Sequence, residues 1–137
     1  MINKSAINMT NTNRQEIAQN GLISFANFQR TGTSLGFSNN GAVIRNNGEY
    51  RGIVSITATP TDAGVVTAKL QLKGATIQGA TASATATAGG TVNLTIPFIF
   101  CHCDCCCSMQ SDTILSVVNT GVAASIDNII LSMERIA

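Results

Sequence analysis

GEYRGIVSITATPTDAGVVTAKLQLK, residues 48–73, decides the fold class. Over residues 49–59, Tyr50, Gly52, Val54, Ile56 and Ala58 fall on one face of an extended chain, and Arg51, Ile53, Ser55 and Thr57 on the other. Successive side chains of a strand point to opposite faces, so this period of two marks a strand with one side in a core. Pro60-Thr61-Asp62-Ala63-Gly64 is a turn, because proline presets φ and glycine accepts conformations other residues avoid. Residues 65–72 resume the alternation, with Val66, Ala68, Leu70 and Leu72 set against Thr67, Lys69 and Gln71.

The same pattern extends in both directions. Residues 22–28 form a strand bounded by Asn20-Gly21, and residues 42–45 form a short one closed by Asn46-Asn47-Gly48. Residues 77–88 are rich in Ala and Thr and stop at Gly89-Gly90. Residues 91–100 put Val92, Leu94, Ile96, Phe98 and Phe100 on one face. Pro97 has no N–H to donate, which makes that strand an edge or its neighbour irregular. Residues 113–118 and 126–136 complete the set, separated by Asn119-Thr120-Gly121. About eight or nine short strands with regular turn signals predict an all-β, two-sheet sandwich or jelly roll. The only helix candidate is residues 12–19, where Ile17 and Ala18 are the sole apolar side chains, and a helix that short is marginal.

Composition narrows the function. The 137 residues fit one domain. Apolar residues make up 45% of the chain, enough for a packed core, but charged residues only 11%, against a usual share of about 25%. A surface covered by Thr, Ser, Asn, Gln and Ala gives little charge repulsion between copies and favours self-association. The positive residues Lys4, Arg14, Arg30, Arg45, Arg51, Lys69, Lys73 and Arg135 are scattered, and the chain has no Trp and one Tyr. No nucleic-acid partner is expected from that pattern. No run of about 20 apolar residues could span a bilayer, so no membrane partner is expected either. MINKSAINMTNTNRQE lacks the apolar run of a secretory signal. The expectation is synthesis in a cytoplasm without a signal peptide, with retention there or release with a particle by lysis, as would suit a bacterial or phage origin. Residues 1–20 hold five Asn, with Ile2, Ile7 and Met9 spaced among them. They are expected to form an arm that docks on other particle or surface proteins, leaving residues 21–137 as the folded domain.

Several strands carry apolar residues on their second face as well. Ile53 lies opposite Tyr50 and Val54, and Ile99, Ile129 and Leu131 lie opposite the apolar faces of their neighbours. A sheet apolar on both sides must be covered on both sides. Without a helix to do it, another subunit is the simplest cover.

All five cysteines fall in Cys101-His102-Cys103-Asp104-Cys105-Cys106-Cys107, together with the only histidine. If the strand continues, Cys101, Cys103 and Cys105 share one face, while His102, Asp104 and Cys106 continue the face of Phe98 and Phe100. Residues two apart on a face are roughly 6.5–7 Å apart, at or past the limit for a disulfide. Three readings stay open. Cys101, His102, Cys103, Cys105, Cys106 and Cys107 could bind zinc or another soft metal, although the spacing is not that of a zinc finger and ligands would be pooled from several chains. The cysteines of several subunits could form intersubunit disulfides. Or they could be reduced and pack as small hydrophobes.

No enzyme is expected. Glu16, Glu49, Asp62, Asp104, Asp112, Asp127 and Glu134 are isolated at turns or strand ends, and no nucleophile elbow, phosphate loop or zinc-protease motif occurs. Cys101 or Cys103 beside His102 would point to opposite faces of a strand and could not easily share a proton. Asn8-Met9-Thr10 and Asn93-Leu94-Thr95 match the glycosylation sequon, which carries little weight without a secretory signal.

The order of segments resembles the jelly roll of the tumour-necrosis-factor and complement globular-head superfamily. It is most similar to the bacterial and phage branch, such as the C-terminal domain of collagen-like spore-surface glycoproteins. Gly48-Glu49-Tyr50 resembles the start of that family's long central strand. Residues 72–80, LKGATIQGA, resemble one of its hairpins, and residues 115–121, LSVVNTG, precede the terminal strand. The resemblance spans about residues 17–137 and implies a ten-strand, two-sheet antiparallel jelly roll assembling as a homotrimer. The Gly-X-Y stalk of the spore proteins is absent, and five Phe and one Tyr make a thin aromatic core. The function implied is a non-enzymatic structural protein of a phage virion, as a head fibre, decoration or tail-associated module. The alternatives are a spore-surface or adhesive ligand-binding module, and a metal-binding or redox module centred on the cysteines.

Overall fold

The structure is a computed structural model and describes residues 5–72, 75–102 and 113–136. Its strands are β1 (Ala6–Asn11), β2 (Gln15–Ile17), β3 (Gly21–Ile23), β4 (Asn27–Thr31), β5 (Leu35–Ser38), β6 (Gly41–Ile44), β7 (Gly48–Pro60), β8 (Gly64–Leu72), β9 (Ala75–Ala86), β10 (Val92–His102), β11 (Thr113–Asn119) and β12 (Ala124–Arg135). They form two sheets. The first runs β10-β7-β12-β1-β4 with β2 added to β12, and the second runs β5-β6-β11-β8-β9 with β3 added to β11. Every pairing is antiparallel. The two sheets pack as a jelly roll, as the alternation predicted. It has twelve strands rather than ten, and β2 and β3 are only three residues each.

The core is the set of inward faces the alternation named. Tyr50, Val54, Ile56 and Ala58 of β7 join Leu94, Ile96 and Phe98 of β10, and Val66, Ala68 and Leu70 of β8 close over them from the second sheet. Tyr50 is fully buried, and its hydroxyl donates to the Asn46 carbonyl at 2.6 Å, so its one polar atom is satisfied. Burial pushes its phenol pKa up, against the charge of Arg135 and a hydrogen bond with Ser34. Pro97 lies exposed on β10, which is the edge of the first sheet, as a residue without an N–H requires.

Three expectations need correction. Residues 1–20 do not behave as an arm over their described part. β1 lies inside the first sheet between β12 and β4, and Ile7 and Met9 are buried in the core. The apolar residues at 7 and 9 are a period of two, and this signal outweighs the Asn-rich composition around it. Residues 12–19, the marginal helix candidate, form no helix, in keeping with the all-β expectation. They hold β2, and the Gln15 side chain reaches across to Ser24, accepting from its N–H at 3.0 Å and donating to its carbonyl at 3.0 Å. Residues 22–28 are not one strand but the end of β3, a break and the start of β4. Within the break, Phe25 N–H donates to the Asn39 carbonyl and Ala26 N–H to the Thr10 carbonyl, which diverts the chain from one sheet to the other. Finally, Ile129 and Leu131 point into the core, because the register of β12 on β7 shifts between Ile126 and Asn128. A bulge adds a residue and reverses the faces beyond it.

Gly52 sits where β7 meets β12, paired with Met133. A Cβ there would press into the carbonyl oxygen of Ser132 and the Cβ of Met133. Backbone cannot yield as a side chain can. Gly52→Ala is therefore expected to destabilise the fold by about 2 kcal/mol or more, seen as a lower urea midpoint with an unchanged slope.

Candidate functional site: the outer face of the first sheet

The side chains of β7, β10 and β12 that turn away from the core are not uniformly polar. Ile53, Ile99 and Ile130 are 44%, 61% and 38% exposed. The register brings them together with Pro97. Pro97 is directly opposite Ile53, while Ile99 is opposite Arg51 and so diagonal to Ile53. On the other side Ser132 is opposite Ile53 and Ser55 opposite Ile130, which makes Ile130 the second diagonal neighbour. Direct and diagonal neighbours on one face are within reach of long side chains. The result is one apolar patch at the middle of the face.

The patch borders, through Pro97 and Ile99, a groove of about 1040 Å³ that is also lined by residues of β1, β4, β7, β9 and β12, among them Asn8, Gln29, Arg51, Gln78 and Glu134. Its wall on the β9 side comes from Gln78 and Gly79. There β9 bulges away from β8, and Gly79 takes φ +81°, a conformation open to glycine. The polar groups of the face largely satisfy one another. Ser132 donates to Asn8 Oδ1 at 2.8 Å, Thr57 donates to Asn93 Oδ1 at 3.0 Å, and Arg51 Nε donates to Glu134 Oε1 at 2.9 Å. Arg30 donates to the Leu35 carbonyl at 3.2 Å. Among the described residues, Glu134 is the groove's single carboxylate and is held by an arginine, and no histidine or cysteine lines it. That chemistry suits contact rather than proton transfer.

The outer face of the second sheet differs. Lys69 of β8 is opposite Thr81 of β9, and Thr67 is opposite Ser83, with their hydroxyls 2.9 Å apart. Its exposed apolar residues, Leu22, Val65 and Ile114, lie on three different strands, with no direct pairing among them. The two sides of the sandwich are thus chemically distinct.

Of the cysteine segment, the structure describes Cys101 and His102. Cys101 is exposed, two residues beyond Ile99 in the same outward row, and His102 is half-buried on the opposite face. The alternation predicted for this pair is present, and it sends the two side chains apart. Cys103, Cys105, Cys106 and Cys107 lie outside the described residues, and among the described residues no group of three metal-binding side chains occurs. Sequence reasoning found Ile53 and Ile99 on the second face. It missed Ile130, hidden by the bulge in β12, and the Arg51–Glu134 pair, whose residues are 83 apart in the chain and meet only through strand register.

The fold and this face define the class: an antiparallel jelly roll of the tumour-necrosis-factor type with an apolar outer face. Among solved structures the chain is similar to Eiger TNF from S. frugiperda, with a TM-score of 0.72, 11% identity, and coverage of 99% of this chain and 94% of that one. It is similar to the globular domain of zebrafish complement 1qA protein, with a TM-score of 0.64, 5% identity, and coverage of 93% and 94%. It is also similar to PRD1 vertex protein P5, with a TM-score of 0.58, 18% identity, and coverage of 98% of both chains. The sequence matches no family model and no curated protein. At such identities the likeness is one of fold.

Proposed function

We propose that this protein is a non-enzymatic structural module that assembles as a homotrimer through the outer face of its first sheet, and that the assembly belongs to a phage virion. The observation that carries the first part is the contiguous patch of Ile53, Pro97, Ile99 and Ile130 on a chain with only 11% charged residues. Apolar surface gathered in one place gains most by leaving water, and a second copy supplies a matching surface at no cost in charge repulsion. The virion reading is supported by likeness over nearly the whole chain to a phage vertex protein. Docking onto neighbouring particle proteins then falls to the exposed positions among residues 12–20, since β1 is committed to the core. Native mass measurement tests the assembly, with a threefold mass expected at micromolar concentration and a single-chain mass sinking the proposal. Fractionation of particles tests the location, and recovery with spores instead would favour the spore-surface or adhesive reading.

The exposed row that holds Ile99 continues to Cys101. In a trimer built on this face, Cys101 lies at or beside the contact. Covalent cross-linking between subunits is therefore the proposed state of oxidised protein. Denaturing gels are expected to show trimer without reductant and single chains with it. Single chains in both lanes, with zinc copurifying, would move Cys101, His102, Cys103, Cys105, Cys106 and Cys107 to the metal reading.

A further inference from the structure

The apolar patch explains why copies adhere but not how they recognise one another. Among the described residues the groove contains three charged side chains, Arg30, Arg51 and Glu134, and two of them form a pair. Arg51 and Glu134 face each other across β7 and β12, one step along the strand face from Ile53. Their single contact is Nε to Oε1 at 2.9 Å, and the side chains remain 61% and 50% exposed. A guanidinium has five N–H donors and a carboxylate two acceptor oxygens. Among the described residues, the contact uses Nε and Oε1 alone, so the other guanidinium donors of Arg51 and Oε2 of Glu134 stay available to a further partner.

Among the described residues, the other surface ion pair is built differently. Asp127 uses Oδ1 with Arg14 at 3.4 Å and Oδ2 with the Thr59 hydroxyl at 2.8 Å, and neither residue lines the groove. There both carboxylate oxygens are engaged within one chain. Arg51–Glu134 is incomplete and lies on the face proposed to be covered. Covering it would strip water from donors and an acceptor that must find partners, because an unsatisfied buried charge is more costly than the pair is worth. In a threefold arrangement like ends of the subunits meet. Each copy then offers a neighbour what its own pair lacks, a carboxylate oxygen for the outer guanidinium nitrogens and guanidinium donors for Oε2.

We propose that Arg51 and Glu134 are the specificity determinants of the assembly, each pairing with its opposite on the neighbouring copy as well as within its own chain. This rests on the trimer reading above and names what fixes its partners. The double variant R51E/E134R keeps an intrachain pair of reversed sense and is expected to form its own trimers. Mixed with wild type, it would place arginine against arginine and carboxylate against carboxylate at every heterotypic contact, and like charges juxtaposed at an interface reject the wrong partner. When the two chains, distinguished by mass, are refolded together and weighed under native conditions, mixed trimers are expected roughly tenfold or more below the binomial proportion. The uncharged R51Q/E134Q variant is expected to enter trimers with wild type freely, which controls for refolding. A binomial mixture of wild type with R51E/E134R would overturn the proposal while leaving the trimer intact. If R51E/E134R fails to fold, R51E alone serves: its trimers are expected to weaken as salt is lowered, and salt-independent assembly of that variant overturns the proposal. A monomeric wild type would remove both readings together.

Discussion

Ile53→Asp is expected to turn the proposed trimer into monomers while leaving the jelly roll folded. Ile53 is the hub of the outer patch, directly opposite Pro97 and diagonal to Ile99 and Ile130. Within one chain it is 44% exposed, so a carboxylate there reaches water and disturbs the fold little. In the assembly the same carboxylate would be buried against apolar neighbours without a partner, at a cost of about 3 kcal/mol or more per copy. That corresponds to at least about a hundredfold in affinity for each contact. Sedimentation should show one species of single-chain mass, with a far-ultraviolet spectrum unchanged from wild type. Retention of the threefold mass would show that the outer face of the first sheet is not the contact.

The largest effect on folding is expected at the opposite end of the sequence argument, in β1. Met9 has no exposed surface, and with Ile7 it forms the inward face of a strand held on both sides. Met9→Ala is expected to cost about 2–5 kcal/mol, the range for emptying a core position. Removing residues 1–11 is a harsher test. It strips β12 of one partner and β4 of its only one among the described residues, and whole-domain stabilities are only about 5–15 kcal/mol. The truncated chain should show no dispersed amide spectrum and no cooperative urea transition. A folded truncation product would restore the detachable arm that composition predicted.

These two expectations lie on either side of what the sequence made legible. β7, β8 and β10 could be read directly, because each alternates over many residues between recognisable turns and needs no knowledge of its partner. β1 carries the same alternation in Ile7 and Met9, but over so few residues that the asparagines dominated the reading. Asn11 shows why composition misled. It is buried, and its side-chain amide donates to the Ser24 carbonyl at 3.0 Å, so it acts as a fixed link between segments rather than as solvated surface. The second face was legible at Ile53 and Ile99, which sit on strands of unbroken register. On β12 the bulge between Ile126 and Asn128 reversed the faces, and it exchanged Ile130 for Ile129 and Leu131. A bulge has no local signature strong enough to show before the partner strand is known. The Arg51–Glu134 pair was beyond sequence reading for the same reason, since only pairing between β7 and β12 brings the two residues together.

The antiparallel register of β1 on β12 also has a mechanical meaning. Ala6 pairs with Glu134, and Arg135 N–H donates to the Ser5 carbonyl at 2.8 Å, so the two strands leave the sandwich at one pole. Pulled apart at that pole, they would open as a zipper, one rung after another. Pulled between that pole and the turns at the other, β1 would have to slide along β12 and β4, with its six rungs on β12 loaded together. A protein tethered to a particle at one pole and gripped at the other is loaded in this second direction, in which the hydrogen bonds of a strand ladder lie across the force and share it.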